Sequence, residues 1–287
     1  MTSQTPHSLY RVADELDQQI APNYEYGNYD VNCLYEIFNE NAKYFRATVA
    51  GQGVRINDFL SNPQTIRLHL AGVKNYQSFP LLPLPAAQPL PARDLGQTMH
   101  SRRSLPQFGA GISQQELADL LGNALACNAT MVPEYAKDAL LHRKPYPSGG
   151  GLYPVEFYVV PLKVEGIAPC VCHFDTIRRE LRVIRPHIGL DEVNRVLSVP
   201  FDADHSPAVM IFMSGVLQRS TNKYGNKGYK LVMIEAGAAG QTLQLVSTGL
   251  QLNGLLWSSF FDDEAERLLQ IDGVTESVIV AFLAGRT

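Results

Sequence analysis

A run of glycines between prolines is the stretch of this sequence best suited to chemistry. Residues 147–156 read Pro-Ser-Gly-Gly-Gly-Leu-Tyr-Pro-Val-Glu and lead into an apolar segment at 155–162. Glycine lacks a side chain and tolerates positive φ, so backbone N–H groups here can lie directly against a flat or anionic ligand. The flanking prolines make that approach rigid. An idle surface loop has a similar composition, but the aromatic neighbours Tyr146 and Tyr153 favour a ligand site.

Two cationic groups accompany the turn in the sequence. Arg102 and Arg103 precede Ser104, and residues 222–230 are rich in lysine and tyrosine. Taken alone, an arginine pair at a helix end is more often solvated than bound to a ligand. A stretch such as 222–230, also taken alone, is typical of a solvated and positively charged loop. The residue types therefore assign no role to either group by themselves.

Composition and charge limit the class of protein. The chain has 287 residues, 45% of them apolar, which is enough for one large domain or a domain with an appendage. The formal net charge is -4 and no basic run exceeds two residues, so we expect no nucleic-acid partner. The polar amino terminus and the absence of an apolar run of about 18 residues predict neither export nor a membrane span. We therefore expect a cytoplasmic location.

Cysteine and histidine spacing argues against a metal site. Cys33, Cys127, Cys170 and Cys172 lack the paired spacing of a zinc site and the density of a disulfide scaffold, so we expect free thiols. Cys170 and Cys172 lie two apart in a strand-like stretch and would share one face, which favours packing. The histidines are scattered without the spacing of a ligand set. No Gly-x-Gly-x-x-Gly motif, P-loop or serine nucleophile elbow is present in the sequence.

Residues 1–92 are expected to form a helical extension that ends in a proline-rich connector. Asp30 can cap a helix whose apolar residues follow the 3.6-residue period, and a second short helix is predicted near 56–60. The tract 79–91 holds too many prolines for a helix or a central strand. Its leucines predict an extended connector packed along a surface.

Residues 93–287 carry helix and strand signals in turn. Ser113 and Glu116 form a capping box ahead of a helix with periodic leucines. A long helix is predicted over 230–248, where small residues permit the close approach of another element. The other expected elements are a short helix ending at 101–104, strands at 155–162, 208–213, 255–261 and 277–283, a hairpin over 171–184, and helices opened by Asp191 and Asp262. Strands separated by helices, with one hairpin, predict an α+β fold.

Three groups of residues resemble the FMN-dependent nitroreductase superfamily. They are Ser101-Arg102-Arg103-Ser104, the run 147–156, and Gly228-Tyr229-Lys230 leading to Glu235-Ala236-Gly237 and Gln241. The branch they resemble most is the SagB/McbC-type azoline dehydrogenases of thiazole/oxazole-modified microcin biosynthesis. The resemblance covers roughly residues 94–287 and, more loosely, 30–46. It implies a nitroreductase-like fold with a central mixed sheet flanked by helices, and FMN bound at a homodimer interface.

The resemblance also implies which residues hold the cofactor. The FMN phosphate carries about two negative charges, which Arg102, Arg103 and Ser104 can hold by charge-assisted hydrogen bonds. Arg286 resembles a late phosphate cation of the family, although a terminal arginine is nearly as often frayed. Gln241 would face the cofactor region, or be an amide satisfied within a helix bundle. The turn residues placed against the flavin ring are Pro147, Ser148, Gly149 and Gly150. Glu235 is expected to be structural.

Lys223 and Tyr224 match a Lys-Tyr pair that this branch uses in catalysis. Aromatising an azoline ring removes one hydride and one proton, and the flavin takes only the hydride, so a base must take the proton. A nearby ammonium favours the phenolate form of tyrosine, which would make Tyr224 the base. Alternatively, desolvation would leave Lys223 neutral and able to accept the proton itself.

The resemblance implies an FMN-dependent dehydrogenase that oxidises thiazoline and oxazoline rings of a ribosomally made precursor peptide and returns electrons to oxygen. Its expected partners are that peptide, a YcaO-type cyclodehydratase with associated synthetase subunits, and a second copy of the chain. Residues 1–92 would supply docking surface and 93–287 the FMN-binding domain. The alternatives are an NAD(P)H-dependent nitro- or quinone-reductase of the same fold, and a non-catalytic scaffold subunit of a synthetase complex.

Overall fold

The computed structural model describes residues 34–47, 49–70, 72–134, 136–137 and 139–287. The chain divides into two compact units, Met1–Asn41 and Ala42–Thr287. In the described part of the first unit, helix α1 spans Leu34–Asn41, as the apolar periodicity of that region predicts. Its predicted cap, Asp30, lies outside the described residues.

The second unit is built on a seven-stranded sheet. Its strands, all of which pair with antiparallel neighbours, follow the order β1-β6-β5-β4-β7-β9-β8. They span Leu81–Leu82 (β1), Val155–Pro161 (β4), Val171–Asp175 (β5), Glu180–Arg185 (β6), Val209–Val216 (β7), Asn253–Trp257 (β8) and Glu276–Gly285 (β9). A separate hairpin pairs Ala129–Met131 (β2) with Leu141–Arg143 (β3). The predicted α+β architecture is thus confirmed, with a central sheet whose named strands pair in antiparallel fashion.

Helices cover both faces of this sheet. The helices of the second unit are Val49–Ser61 (α2), Pro63–Leu70 (α3), Leu95–Ser101 (α4), Gln114–Ala124 (α5), Leu190–Val196 (α6), Leu217–Tyr224 (α7), Asn226–Gly249 (α8) and Asp262–Leu269 (α9). Alternate residues of β4 enter different cores: Phe157 packs with residues of α5 and α8, whereas Tyr158 packs with residues of α6 and α9. Every residue of β4 is therefore buried.

Several local predictions are confirmed. Ser113 and Glu116 form the reciprocal capping box at the start of α5. The proline-rich tract packs along the sheet edge, where β1 pairs with β6. Cys127, Cys170 and Cys172 are free, while Cys33 lies outside the described residues. Within the described part of the chain, no helix is both long and apolar enough to cross a membrane.

Residues 222–230 do not form the solvated loop that their composition alone would favour. Two helices, α7 and α8, meet there at Gly225, whose φ of 58° and ψ of -145° suit glycine. A Cβ on Gly228 would lie 2.7 Å from the backbone of Ser220, so glycine permits the close approach of the two helices. The sequence of α7 is almost wholly polar, so it lacks the apolar periodicity that would predict a helix. The predicted strand 255–261 is displaced too, because β8 ends at Trp257.

Candidate functional site

The glycine run forms a tight turn that Ser148 fixes from two sides. Its main-chain carbonyl accepts a hydrogen bond from the Gly151 N–H at 3.1 Å. Its hydroxyl accepts one from the Tyr153 N–H at 2.9 Å. Gly150 and Gly151 both have a φ of +67°, a conformation that side chains disfavour. Glycine is therefore required by the backbone path of this turn.

A buried acid and a buried amine lie beneath the turn. Glu235, on α8, accepts a hydrogen bond from the Val155 N–H at 3.2 Å, as expected for a structural carboxyl. Burial raises the pKa of Glu235 to about 7, against the opposing effect of Ser148 and Lys144. The Lys144 ammonium donates to the Gly72 carbonyl at 3.2 Å, and burial lowers the pKa of Lys144 to about 8. Both groups thus change charge close to neutral pH.

The exit of the turn is held by an ion pair. Arg219, on α7, contacts the Glu156 carboxylate at 2.5 Å and donates to the Tyr153 carbonyl at 3.2 Å. His173 lies 2.7 Å from the other Glu156 oxygen. Burial alone would raise the pKa of Glu156, but Arg219 and His173 outweigh it and lower that pKa to about 2. The carboxylate is therefore ionised and locks the turn to α7 and β5.

Lys223 and Tyr224 approach the turn from the end of α7. A Cβ on Gly150 would overlap the Tyr224 hydroxyl and lie 3.0 Å from the Lys223 Nζ. Lys223 is only 7% exposed, and burial lowers the pKa of its amine. Its Nζ lies 5.2 Å from the centroid of the Tyr224 ring. The structure thus brings the predicted catalytic pair and the predicted flavin-binding turn together.

A cavity of about 600 Å³ opens beside this contact. Pro147, Ser148, Gly150 and Lys223, all predicted site residues, line it. Arg143, Lys144, Tyr146, Tyr153 and apolar residues of the β2–β3 hairpin complete the wall. Gly149 lies in the same turn, with α8 at its back, because a Cβ there would be 3.1 Å from Leu231. Two amines and a guanidinium make the cavity suitable for an anionic or electron-rich ligand.

The predicted phosphate-binding residues occupy a different place. Arg102 follows the last turn of α4, and its N–H donates to the Thr98 carbonyl at 3.0 Å. The Arg103 guanidinium donates to the carbonyls of His100 and Arg102 at 2.6 and 2.8 Å, so it caps its own helix. Ser104 is exposed. In the described part of the chain, these residues do not line the cavity at the glycine turn.

Gln241 and Arg286 also lie outside that cavity. Gln241 is exposed on α8. Arg286 forms an ion pair with Glu116 of the capping box, and its Nε lies 3.2 Å from the carboxylate. That pair partly neutralises the cation proposed for the phosphate.

Sequence reasoning missed three residues that build the site. Lys144 lies only three residues before Pro147, so its proximity to the motif was the available signal. Gln244 donates to the Arg103 carbonyl at 2.7 Å and the Gly254 carbonyl at 3.0 Å, which fastens the arginine segment to β8. Its spacing from Gln241 was the only hint. Arg219 carried no signal, because its partner Glu156 is remote in sequence.

Comparison with known proteins identifies the family. A model of the nitroreductase family matches residues 101–286, which is more than half of the chain. The chain belongs to the nitroreductase family. Members of this family are FMN-dependent oxidoreductases, and FMN is the cofactor of this chain.

Two curated relatives match parts of the chain. A protein of Methanocaldococcus jannaschii named as a nitroreductase is 30% identical over 129 residues, which is 45% of this chain and 64% of the relative. The microcin B17-processing protein McbC of Escherichia coli is 24% identical over 149 residues, or 50% of this chain and 54% of the relative. The matches thus cover less than two thirds of either relative.

Solved structures share the fold. A nitroreductase-like protein of Anabaena variabilis superposes with a TM-score of 0.60 at 25% identity, over 74% of this chain and 42% of the other. The Escherichia coli microcin synthetase complex McbBCD, solved with truncated pro-MccB17 bound, contains a chain that superposes with a TM-score of 0.55 at 19% identity. That match covers 99% of this chain and 94% of the other. It shows a common fold.

The residues at the glycine turn fit a flavin. The positive-φ glycines leave the backbone of the turn bare beside a cationic cavity. Two buried polar atoms, the Tyr146 hydroxyl and one Glu235 oxygen, have no hydrogen-bond partner among the described residues. Buried polar atoms are normally satisfied, so these two indicate a place where a polar ligand or water completes the site.

Proposed function

We propose that this nitroreductase-family chain is an azoline dehydrogenase, which oxidises thiazoline and oxazoline rings of a ribosomally made precursor peptide to thiazole and oxazole. The observation that carries the proposal is the contact of Tyr224 and Lys223 with Gly150. It places a hydroxyl and an amine, each able to move a proton, at the turn that fits a flavin. A simple hydride acceptor site needs no such pair.

The chemistry requires both a hydride acceptor and a base. Conversion of an azoline ring to an azole breaks two bonds to hydrogen; one hydrogen leaves as hydride and the other as a proton. FMN, when bound, supplies the hydride acceptor and passes the two electrons to dioxygen. Burial lowers the pKa of Lys223 and so favours its neutral form, which can accept the proton directly or through the neighbouring Tyr224 hydroxyl.

Pro147, Ser148, Gly149 and Gly150 are proposed to hold the flavin ring. Arg102, Arg103, Ser104, Gln241 and Arg286 are proposed to hold its phosphate side. Because the second set does not line the cavity of the first among the described residues, we infer that the two sets meet across a homodimer interface. Exposed apolar side chains on α4 and α8 support such an interface: Leu95 is 70% and Ile234 is 65% exposed.

The proposed partners follow from the McbC likeness. The fold match to a chain of the McbBCD complex supports a peptide substrate and associated synthetase subunits. We propose that one of these subunits is a YcaO-type cyclodehydratase. We propose that residues 1–92 dock these partners and that 93–287 form the catalytic domain. A cytoplasmic location is consistent with this role, since the precursor peptide is made there.

The proposed function is tested by anaerobic bleaching of the flavin absorbance at about 450 nm, which is lost when bound FMN is reduced. The FMN-loaded protein is mixed in turn with an azoline-containing peptide, the fully aromatised peptide and NAD(P)H. Bleaching by the azoline peptide alone is expected. Rapid bleaching by NAD(P)H and none by the azoline peptide would instead assign a nitro- or quinone-reductase. Absence of any bound flavin would favour the scaffold alternative.

A further inference from the structure

We propose that residues 44–59 position the Lys223–Tyr224 pair, so that part of the amino-terminal region belongs to the catalytic site as well as to any docking surface. The proposal rests on the proposed function, in which this pair moves the proton. The segment lies before residue 101, where the match to the family model begins. It therefore lies outside the part of the chain that the family model matches.

The first support comes from the carbonyl groups of the pair itself. Lys223 and Tyr224 are the last two residues of α7, where main-chain carbonyls lose their partners within the helix. Gln52, on α2, donates its side-chain amide to the Lys223 carbonyl at 3.1 Å. The Tyr44 hydroxyl donates to the Tyr224 carbonyl at 3.2 Å. Two consecutive residues are thus tied to the same segment, which holds the backbone from which both side chains extend.

The second support is the cover over the amine. The Phe59 ring is 5% exposed, and its centroid lies 5.4 Å from the Lys223 Nζ. The ring is braced by an edge contact with His69 at 5.0 Å, and His69 in turn lies 3.1 Å from the Asn222 amide. An aromatic face keeps water from the amine and holds it by a cation–π contact while it is charged.

The third support is the fit at the helix junction. A Cβ on Gly225 would lie 3.7 Å from Gln52 and from Arg55, which places α2 directly behind the reversal between α7 and α8. After Gly225, in the first turn of α8, the Lys227 Nζ lies 5.5 Å from the centroid of the Tyr44 ring. The segment therefore contacts the junction on both sides of Gly225. Loss of these contacts would let the end of α7 turn away from the glycine turn.

The test uses the full-length, FMN-loaded chain with Gln52→Ala, Tyr44→Phe and the double variant. Tyr44→Phe removes one hydroxyl and keeps the ring against Lys227. Asn57→Ala is the matched control, because Asn57 is exposed on α2, the helix that carries Gln52. We expect kcat on an azoline peptide to fall about tenfold in each single variant and up to about 100-fold in the double variant, because misplacement of a catalytic group by about 1 Å has effects of this size.

The same variants should leave KM within about twofold, and FMN content and unfolding midpoint close to those of the Asn57→Ala control, because the contacts act on the pair rather than on ligand binding. A double variant whose kcat stays within about twofold of the control overturns the proposal.

A second measurement needs no substrate. Lysines are ¹³C-methylated, and the Lys223 signal, assigned by its loss in Lys223→Arg, is titrated by NMR. Its pKa should lie below the ordinary value in the native chain and rise towards it in the double variant. Where the native protein does not oxidise the azoline peptide, the proposed function fails and this titration alone decides the positioning role: a rise supports it, and an unchanged pKa overturns it.

Discussion

The Tyr224 hydroxyl occupies the space that a side chain on Gly150 would need. Gly150 also has a φ of +67°, so backbone conformation and lack of space both demand glycine at this position. The second of the three consecutive glycines thus becomes a contact point for the candidate base. This relationship links the turn to the end of α7, two places more than 70 residues apart in the chain.

Gly150→Ala should displace the Lys223–Tyr224 pair. We expect turnover of the azoline peptide to fall about 100-fold and the free energy of unfolding to fall by about 1–2 kcal/mol from the strained φ. Gly53→Ala is the control, because no atom of the described residues lies within 4 Å of its added Cβ. It should be neutral or stabilise α2 by up to about 1 kcal/mol. Full turnover by Gly150→Ala would show that the contact is not used.

Tyr224→Phe should separate flavin binding from proton transfer. The variant keeps the ring and loses the hydroxyl at the turn, so we expect normal FMN content with azoline oxidation reduced about 100-fold or more. Tyr229→Phe, one turn into α8 and 38% exposed, is the matched control and should turn over normally. The measurement is single-turnover oxidation followed by flavin absorbance. An undiminished rate for Tyr224→Phe would leave Lys223 as the only member of the pair with a role.

Arg102→Ala should weaken FMN binding. Loss of a charge-assisted hydrogen bond to a phosphate costs about 1.5–3 kcal/mol, which raises the FMN dissociation constant by about 10–100-fold. Arg195→Ala, at an exposed site on α6, is the control and should bind FMN normally. Fluorescence titration of the apoprotein with FMN gives both constants. Equal affinity in the two variants would move the phosphate site elsewhere.

Local signals explain why much of this fold could be predicted. The capping box at Ser113 and the continuous apolar runs of β4 and β7 act over a few residues, and the structure has them where the sequence indicates. The polar helix α7 could not be found in this way, because it is stabilised by the close contact of Gly228 with Ser220 and by α2 behind it. Such contacts join segments that the sequence keeps apart.

The residues of the candidate site also differ in whether a local sequence signal could reveal them. The glycine turn carries a local motif, and the catalytic role of Lys223 and Tyr224 was predicted from a family likeness rather than from spacing. Their contact with the turn is visible only in the structure. Lys144 and Arg219 escaped notice because their roles arise only when β4, α7 and α8 pack together. Their charges are expensive to bury and are retained through partners from remote segments. The pKa values of the groups beneath the turn therefore depend on burial in the folded chain, which the periodicity of the sequence does not reveal.

Arg219→Met should be strongly destabilising. The substitution leaves the Glu156 carboxylate buried without its main cation and removes the hydrogen bond to the Tyr153 carbonyl. Breaking a buried pair costs about 3–5 kcal/mol. Arg267→Met removes an exposed ion pair on α9 and should change stability far less than Arg219→Met, because exposed pairs contribute little. Urea unfolding at neutral pH compares the two, and similar losses in both variants would contradict a buried, ionised Glu156.

Glu235→Gln should change how stability depends on pH. Burial raises the pKa of Glu235 from 4.5 to about 7, so between these values the folded chain holds a proton that the unfolded chain has lost. The free energy of unfolding of the native chain should therefore fall as pH rises through this window, by about 3 kcal/mol at most. Glutamine cannot ionise, so the variant should lack this part of the slope.

Lys144 should make the free energy of unfolding depend on pH in the opposite direction, at higher pH. Burial lowers its pKa from 10.5 to about 8, so the folded chain holds fewer protons than the unfolded chain between these values, and stability should rise with pH there. Urea unfolding of both proteins at intervals from about pH 5 to about pH 8 compares their slopes. The Glu235 charge also raises the pKa of Lys144, so the difference between the curves includes the change that the substitution makes at Lys144. Parallel curves for native and Glu235→Gln protein across that range would show that Glu235 is already ionised when folded, with its charge stabilised by Lys144 and Arg219 beneath the turn.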